Sequence, residues 1–277
     1  MSQKSYDGKP CLYLIATPIG NLEDITYRAI KTLQEVEVVF CEDTRITSQL
    51  LNHYKIKKKL IASHQYNEIE NKDKLLEYLK NGFSVGLVTD RGTPIISDPG
   101  YELVQIAIDN DYHVVAIPGA TAFVCALITS GVPCQPFTFY GFLNSKQSKR
   151  RKELEDLKRV NNAIIFYEAP HRLLETLEDM KTILGNRKCS ISREITKKFE
   201  EIYRGNIEQL LQEIKEVKGE IVIVVEGSSL QNSYDSLTVI EHVNLYIKEG
   251  MDVKEAIKLV AKERKINKND VYMEYHK

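Results

Sequence analysis

The chain has 277 residues, of which 43% are hydrophobic and 28% are charged, and its formal net charge is -1. This length is sufficient for one or two ordinary hydrophobic cores. The near-zero charge argues against a protein that coats nucleic acids through a global positive field. The first ten residues lack the apolar stretch of a secretory signal and no long apolar run predicts a membrane span, so a cytoplasmic protein with no membrane partner is expected.

Strands alternate with helices over residues 1–118, which predicts an α/β lobe with a mostly parallel sheet. Apolar, β-rich runs predict strands at 11–16, 36–40, 86–89 and 112–117. Helical periodicity predicts helices at 24–33, 72–81 and 101–110.

The same alternation continues over residues 119–228 and predicts a second α/β lobe. Predicted strands lie at 137–140, 163–167, 189–193 and 221–225, and predicted helices at 148–160, 172–184 and 207–217. The run after Pro118-Gly119 is apolar and looks packed, so the two lobes are not joined by a flexible linker. We expect a cleft between two tightly apposed lobes.

Residues 229–277 are predicted to form a small helical module. A polar, turn-rich stretch at 227–233 is the best boundary, and helical patterns follow at 236–248, at 253–263 and after residue 267. Two helices joined by a short turn with basic flanks resemble a helix-turn-helix module that binds nucleic acid. A plain helical cap on the second lobe is an equally good interpretation.

Motifs of several common enzyme classes are absent from the sequence. It has no G-x-x-x-x-G-K-[ST] loop and no G-x-G-x-x-G after the first strand, which disfavours ATP and nicotinamide chemistry. It also has no G-x-S-x-G and no H-E-x-x-H, which disfavours hydrolases and metalloproteases. The five cysteines are scattered and never form C-x-x-C, so neither a disulfide framework nor a metal site is predicted.

Four short loops, at 17–20, 90–94, 97–100 and 118–121, are the most informative part of the sequence. The first, second and fourth follow predicted strands directly, and the third closes the loop that the second opens. In open α/β sheets, ligands bind at the carboxyl edge of the strands. The loops therefore predict a small molecule held largely by backbone groups.

Five motifs in chain order, TPIGNLED, CEDTR, TDRGTPIISDPG, IPGATA and YEAPHR, resemble the tetrapyrrole methylase family of S-adenosylmethionine-dependent enzymes. Within that family they are similar to the branch that methylates the ribose 2′-hydroxyl of a cytidine in the decoding region of small-subunit (16S) rRNA. The resemblance implies two α/β lobes with S-adenosylmethionine in the cleft between them. It also implies a homodimer that acts on rRNA or on the 30S ribosomal subunit.

The resemblance places a set of loop residues on the cofactor side of the cleft. They are Pro18, Gly20, Asp90, Gly92, Thr93, Pro94, Asp98, Pro118, Gly119, Thr121 and Ala122. The glycines allow close backbone approach, and the prolines fix the loops. For Asp98, which stands just before a helical run, capping of that helix is the favoured alternative.

Arg91 departs from the family pattern, whose loop usually reads S-D-A-G-T-P. Like-charge repulsion would disfavour this cation beside a sulfonium if its side chain pointed inward. We expect Arg91 to turn outward, toward phosphate.

Asp43 and Glu42, directly after the second strand, are the leading candidates for the base that activates the ribose hydroxyl, followed by His171. Asp43 can equally cap the next helix. A histidine at a helix start is more often structural or a phosphate contact, which is the interpretation we favour for His171.

Several cations are candidates for RNA contacts: Arg45, Arg172, Arg193, Lys197, Lys149, Arg150 and Arg151. For Arg193 and Lys197, an ion pair between the lobes is an equally good interpretation. For the run that contains Arg150, a solvated helix face is the ordinary alternative.

Two other functions remain open at this point. One is methylation of a corrin or porphyrin, as in other members of the family, which would not need the basic segments. The other is a non-catalytic ribosome-binding factor on a methylase scaffold, for which Arg91 is the only support.

Overall fold

The computed structural model describes residues 3–5, 7–63, 68–215, 218–228, 237–264 and 266–277, with only the backbone at 68 and 69. The first lobe contains a parallel sheet with strand order β3-β2-β4-β1-β5. Its strands are β1 (Cys11–Ile15), β2 (Val38–Cys41), β3 (Lys59–Ala62), β4 (Val85–Val88) and β5 (His113–Ile117). Its helices are α1 (Tyr27–Glu35), α2 (Thr44–His53), α3 (Glu68–Lys80) and α4 (Tyr101–Asp109).

Helices cover both faces of this first sheet. Residues of α1 and α2 pack on one face and residues of α3 and α4 on the other. Strands β2 and β4 are buried throughout, which explains their uninterrupted apolar sequences. The chain order reverses between β4 and β1, and the loops after these two strands therefore lie at the position where such sheets bind ligands.

The second lobe contains a mixed sheet with strand order β6-β7-β10-β8-β9. Only the β6–β7 pair is parallel. The strands are β6 (Phe137–Phe142), β7 (Ala163–Glu168), β8 (Lys188–Arg193), β9 (Glu201–Asn206) and β10 (Ile221–Val225). The helices are α5 (Ala122–Thr129), α6 (Gln147–Leu157), α7 (Leu173–Leu184) and α8 (Ile207–Glu213).

The C-terminal helices α9 (Val239–Lys248), α10 (Val253–Arg264) and α11 (Lys268–Tyr275) form a module with its own hydrophobic core. Val243, Ile257, Val260 and Val271 are almost completely buried in it. The three predicted helices are confirmed. The predicted boundary at 228/229 and most of its turn-rich segment lie outside the described residues, and the boundary at 118/119 also stays a prediction.

The two-lobe α/β prediction is confirmed, with three differences in detail. Strands β3 and β9 were not predicted. The predicted helix at 24–33 is a 3-10 turn at Leu22–Asp24 followed by α1. The predicted helix at 207–217 ends at Glu213. Within the described part of the chain, no helix is long and apolar enough to cross a membrane.

Candidate active-site cleft

A cleft of about 700 Å³ lies between the two lobes. One wall consists of loops at the carboxyl edge of the first sheet, including Gly92, Thr93 and Thr121. The other wall consists of the ends of β7 and β8 and the start of β10. The cleft is therefore at the ligand-binding edge that the four loops predict.

Backbone hydrogen bonds join the loops after β1 and β4. Thr17 N donates to Gly92 O at 2.8 Å, and Gly92 N donates to Thr17 O at 3.1 Å. Gly92 has φ +86°, and a Cβ there would lie 3.2 Å from Ile19 Cγ2. The Thr93 and Thr121 hydroxyls are 2.8 Å apart, which ties this wall to the loop after β5. The wall is thus rigid, and glycine is required at position 92.

Glu168 anchors the wall of the second lobe. Its carboxylate is buried and accepts hydrogen bonds from Thr176 Oγ1 at 2.6 Å and Ala169 N at 2.7 Å. Arg172 is 2.8 Å from the same carboxylate. These contacts compensate the charge of Glu168, which therefore holds the end of β7 in place. Burial also raises the pKa of the neighbouring Tyr167 to about 12.

An ion pair crosses the cleft. Arg91 lines the cleft, and its guanidinium is bonded to the carboxylate of Glu220 on the opposite lobe. Lys197 binds Glu220 at 2.9 Å and Glu194 at 2.8 Å. The expectation that Arg91 turns outward toward phosphate is wrong, because Glu220 supplies a closer opposite charge within the cleft.

Asp98 is the most perturbed carboxyl group in the cleft. Burial, together with the neighbouring carboxylate of Glu42, raises the pKa of Asp98 to about 6, although a hydrogen bond with Thr89 opposes this change. Thr89 Oγ1 is also 3.1 Å from the Glu42 carboxylate, so this hydroxyl, with one proton to donate, lies between the carboxylates of Asp98 and Glu42. The favoured helix-capping role of Asp98 is wrong, because Gly100 is the N-cap of α4 and has no side-chain cap.

Asp43 is the N-cap of α2, as one of its two predicted roles requires. It accepts a hydrogen bond from Arg45 N at 2.8 Å and another from Arg45 Nη2 at 2.6 Å. These hydrogen bonds from Arg45 lower the pKa of Asp43 to about 2. Its own backbone N–H donates to Asp90 at 3.0 Å, so that Asp90 supports the turn. Neither Asp43 nor Glu42 is among the residues that line the cleft.

Comparison with known proteins identifies the fold family. The family model described as Tetrapyrrole (Corrin/Porphyrin) Methylases matches residues 11–211. The chain belongs to the tetrapyrrole methylase family. Two solved members have the same fold. A uroporphyrin-III C-methyltransferase from Thermus thermophilus, complexed with S-adenosylhomocysteine, aligns with TM-score 0.55 and 19% identity over 78% of this chain and 97% of that chain. A cobalt precorrin-4 methyltransferase aligns with TM-score 0.59 and 18% identity over 82% of this chain and 98% of that chain.

Curated relatives match this tetrapyrrole methylase over nearly its whole length. A protein named Ribosomal RNA small subunit methyltransferase I from Bacillus subtilis (strain 168) is 47% identical and covers 99% of this chain and 98% of its own. The protein of the same name from Haemophilus influenzae is 41% identical over 94% of each chain.

S-adenosylmethionine is the cofactor of this tetrapyrrole methylase, and its chemistry fits the cleft. The apolar part of the wall is formed by Ile19, Phe142, Tyr167 and Val222. Asp98 places a carboxylate in the same cleft, which suits a ligand with a sulfonium and an ammonium group, while the carboxylates of Glu194 and Glu220 balance the cations of Lys197 and Arg91. Groups of three or more His, Cys, Asp or Glu side chains that could hold a metal ion do not occur among the described residues.

The structure separates the eleven predicted cofactor residues into two groups. Those that line the cleft are Gly92, Thr93, Asp98, Thr121 and Ala122. Those that are not part of its lining are Pro18, Gly20, Asp90, Pro94, Pro118 and Gly119. The second group shapes the loops: Thr26 Oγ1, for example, donates to Pro118 O at 3.3 Å. A Cβ at Gly119 would lie 2.8 Å from Ala16 Cβ, so this glycine is required for packing between loops.

Arg150 is not a candidate for RNA contact. Its side chain is buried, and its Nε lies 2.7 Å from the buried carboxylate of Asp179. Arg151 also bonds to Asp179 at 2.7 Å but is half exposed. Lys149, in the first turn of α6, is exposed. The prediction for Arg150 is therefore wrong, because this arginine is part of the interior of the second lobe.

The remaining predicted cations have different environments. Arg45 is exposed although it is paired with Asp43. Arg172 is mostly buried beside Glu168, and Arg193 bonds to Glu201 at 2.7 Å within the same lobe. His171 is exposed and is not among the residues that line the cleft. The ion pair between the lobes that was predicted for Arg193 or Lys197 is wrong, because both cations pair within the second lobe; the observed interlobe pair joins Arg91 and Glu220.

Of the residues in the second wall, only Lys197 is among the predicted site residues, although Tyr167 and Glu168 are part of the YEAPHR motif. Glu168 and Tyr167 lie at the end of β7, while Glu194 follows β8 and Glu220 precedes β10. Their position at strand ends was a usable signal. What the sequence does not contain is the alignment of these ends with the first lobe.

Proposed function

We propose that this protein transfers the methyl group of S-adenosylmethionine to small-subunit (16S) rRNA, at the ribose 2′-hydroxyl of a cytidine in the decoding region. The observation that carries the proposal is the similarity to proteins named Ribosomal RNA small subunit methyltransferase I, at 41–47% identity over 94–99% of this chain. The motifs TPIGNLED, CEDTR and YEAPHR point to the same branch of the family.

The cleft is suited to a transfer that depends on alignment. S-adenosylmethionine, when bound, supplies an electrophilic methyl group whose sulfur becomes neutral in the reaction. The rigid loop pair at Thr17 and Gly92 and the buried anchor Glu168 fix the two walls that orient the reactants. Alignment of this kind can contribute roughly 7–11 kcal/mol to catalysis. The apolar wall residues exclude water from the reacting groups.

Asp98 is the group we assign to the proton of the ribose hydroxyl. It lines the cleft, and its pKa of about 6 leaves it ionised at neutral pH but more basic than an ordinary aspartate. Its carboxylate oxygen would accept the proton, while the Thr89 hydroxyl orients it and the negative charge of Glu42 raises its basicity. Asp43 suits this role less well, because hydrogen bonds from Arg45 lower its pKa to about 2 and make its carboxylate a weak base. His171 lies outside the cleft lining.

The partners follow from this substrate. The 30S subunit is the proposed form in which the rRNA is recognised, and the cytoplasm is the compartment that contains it. A homodimer is the proposed assembly, and exposed apolar side chains on α5 and β6 support it: Val124, Ile128 and Phe137. Light scattering after size exclusion measures this directly, and a monomer at micromolar concentration would contradict it.

The first experiment is transfer of labelled methyl from S-adenosylmethionine to unmodified 30S subunits, with naked rRNA and a panel of corrins and porphyrins tested in parallel. Nucleoside analysis of the RNA product is expected to give 2′-O-methylcytidine. Transfer to a macrocycle alone would favour the corrin or porphyrin alternative. Cofactor binding without transfer to any substrate would favour a non-catalytic ribosome-binding factor.

A further inference from the structure

The C-terminal module has a row of lysines along one helix. Lys254, Lys258 and Lys262 are exposed on α10 and are spaced four residues apart. At 1.5 Å rise per residue, each lies about 6 Å further along the helix on nearly the same face. We refer to these three residues as the lysine stripe.

The lysine stripe keeps its positive charge free for a partner. Within the described ranges, no carboxylate forms an ion pair with any of the three side chains. Four acidic residues of the module have other roles. Glu241 closes the capping box of α9, and Asp252 accepts a backbone N–H at the start of α10 at 2.8 Å. Glu249 bonds to Arg159 of the second lobe at 2.7 Å, and Glu263 accepts a hydrogen bond from the buried Tyr246 at 2.9 Å.

The module is attached to the second lobe near the end of β7 that is opposite to the cleft. The Arg159–Glu249 ion pair attaches it to the second lobe just before β7 begins. The opposite end of β7 is Glu168, in the cleft wall. Six strand residues span about 20 Å. A substrate that touches both the lysine stripe and the cleft must therefore be a macromolecule.

Macrocycle methylation does not account for this part of the chain. The family model ends at residue 211, before the module begins. The uroporphyrin-III enzyme is matched over 97% of its own length but over only 78% of this chain. The curated rRNA methyltransferase relatives, in contrast, cover up to 99% of this chain.

We propose that the lysine stripe binds phosphate groups of the rRNA substrate at a site remote from the methylated nucleotide. This inference rests on the proposed function. Phosphate contacts by lysine supply affinity and position without reading sequence. Lysine is also depleted in protein–protein interfaces, so an unpaired row of it fits RNA better than a protein partner. The stripe thus increases affinity for the subunit, while the cleft performs the chemistry.

The test is the triple variant Lys254→Gln, Lys258→Gln, Lys262→Gln in the full-length protein. Glutamine preserves helix propensity and removes only charge. We expect the KM for 30S subunits to rise roughly tenfold or more, with kcat and the Kd for S-adenosylmethionine unchanged. The slope of log binding constant against log salt, measured by filter binding to rRNA, should fall by about 2.

Two matched controls accompany this variant. The first control keeps the charge of the stripe and should retain the wild-type KM and salt slope; it is the triple variant Lys254→Arg, Lys258→Arg, Lys262→Arg. The second control makes the same change in net charge at exposed lysines of the first lobe and should have little effect; it is the triple variant Lys4→Gln, Lys55→Gln, Lys80→Gln. Thermal melting of each variant confirms that it is folded.

The outcomes separate this inference from the proposed function. Wild-type KM and salt slope in the glutamine variant would overturn it, as would an equal loss in the first-lobe control. Weakened activity on assembled subunits with unchanged binding to naked rRNA would indicate a ribosomal protein as the partner, and would also overturn it. Failure of the wild-type protein to methylate any RNA would refute the proposed function, while the rRNA binding slopes would still decide the role of the stripe.

Discussion

Two aspartates near the carboxyl edge of the first sheet have opposite electrostatic environments. Asp43 is bonded to the guanidinium of Arg45, which lowers its pKa to about 2. Asp98 is partly buried and lies near the carboxylate of Glu42, and these two effects together raise the pKa of Asp98 to about 6. Only a carboxylate of the second kind is well matched to proton abstraction near neutral pH.

Asp98→Asn is expected to lower kcat by about 10² or more and to remove the acidic limb of the pH–rate profile. In the wild type, activity should fall as the pH decreases through about 6, because Asp98 becomes protonated. Asp43→Asn is the matched control: asparagine also caps helices, so turnover should stay within about threefold. A lost acidic limb in the Asp43 variant instead would contradict the assignment.

The same substitution has a predicted effect on stability with a definite sign. Folding raises the pKa of Asp98 above its ordinary value of 3.8, so the folded state favours the protonated form. The stability of the wild type therefore falls as the pH rises from about 3.8 to about 6, and the loss stays constant at higher pH. Asp98→Asn should be more stable by about 1–2 kcal/mol at pH 8 and equal to wild type near pH 3, as measured by urea unfolding. A destabilised variant at pH 8 would show that the carboxylate has stabilising contacts.

The burial of Arg150 could have been predicted from its spacing along the helix. Arg150, Leu154 and Leu157 lie on one face of α6, and this face is buried. The basic run around Arg150 suggested an exposed surface, but the periodicity of the apolar positions on α6 places Arg150 itself in the interior. What the sequence did not contain was the partner, Asp179, which lies on the next helix.

Arg150→Met is expected to lower the free energy of unfolding by about 2–4 kcal/mol, because it removes the buried cation beside Asp179 and leaves the half-exposed Arg151 as the cationic partner. Arg151→Met, at the half-exposed member of the cluster, should cost less than about 1 kcal/mol. Urea unfolding at pH 7 measures both. Unchanged stability of the Arg150 variant, together with weaker rRNA binding, would restore this arginine as an RNA contact.

At the scale of elements, the sequence predicted the six central strands and two of the four edge strands, β5 and β6, but missed the edge strands β3 and β9. β3 and β9 lie at the free edges of their sheets, and neither is fully buried. An edge strand has fewer neighbours, so its sequence needs less apolar character and gives a weaker signal. Strand direction in the second lobe was also not predictable, because an apolar run does not indicate whether its neighbour is parallel or antiparallel.

The conformation of the loop between β4 and α4 requires glycine at position 92. Gly92→Ala adds a Cβ 3.2 Å from Ile19 at φ +86°. We expect a loss of about 1–2 kcal/mol in stability and weaker binding of S-adenosylmethionine by calorimetry.

Gly82→Ala is the control, because Gly82 has the same φ but no atom within 4 Å of the added Cβ. Its stability should fall similarly while cofactor affinity stays unchanged. Equal affinity losses in both variants would show that the effect is global.

At the scale of the whole molecule, the charge of the cleft depends on residues that are far apart in sequence. Arg91 belongs to the first lobe, while Glu194, Lys197 and Glu220 belong to the second. The sequence showed that Arg91 was unusual in its loop. Its partner could not be predicted, because the contact with Glu220 requires the relative placement of two lobes.

This charge arrangement predicts an asymmetric double-mutant cycle. Glu220→Gln leaves the Arg91 cation uncompensated in the cleft and should weaken S-adenosylmethionine binding about three- to tenfold by like-charge repulsion. Arg91→Gln should leave affinity unchanged or slightly higher, and the double variant should return to near wild type. S-adenosylhomocysteine, whose sulfur is neutral, should respond much less to Glu220→Gln. If both ligands weaken equally, or if Arg91→Gln is the variant that loses affinity, Glu220 acts through loop position and the compensation argument is wrong.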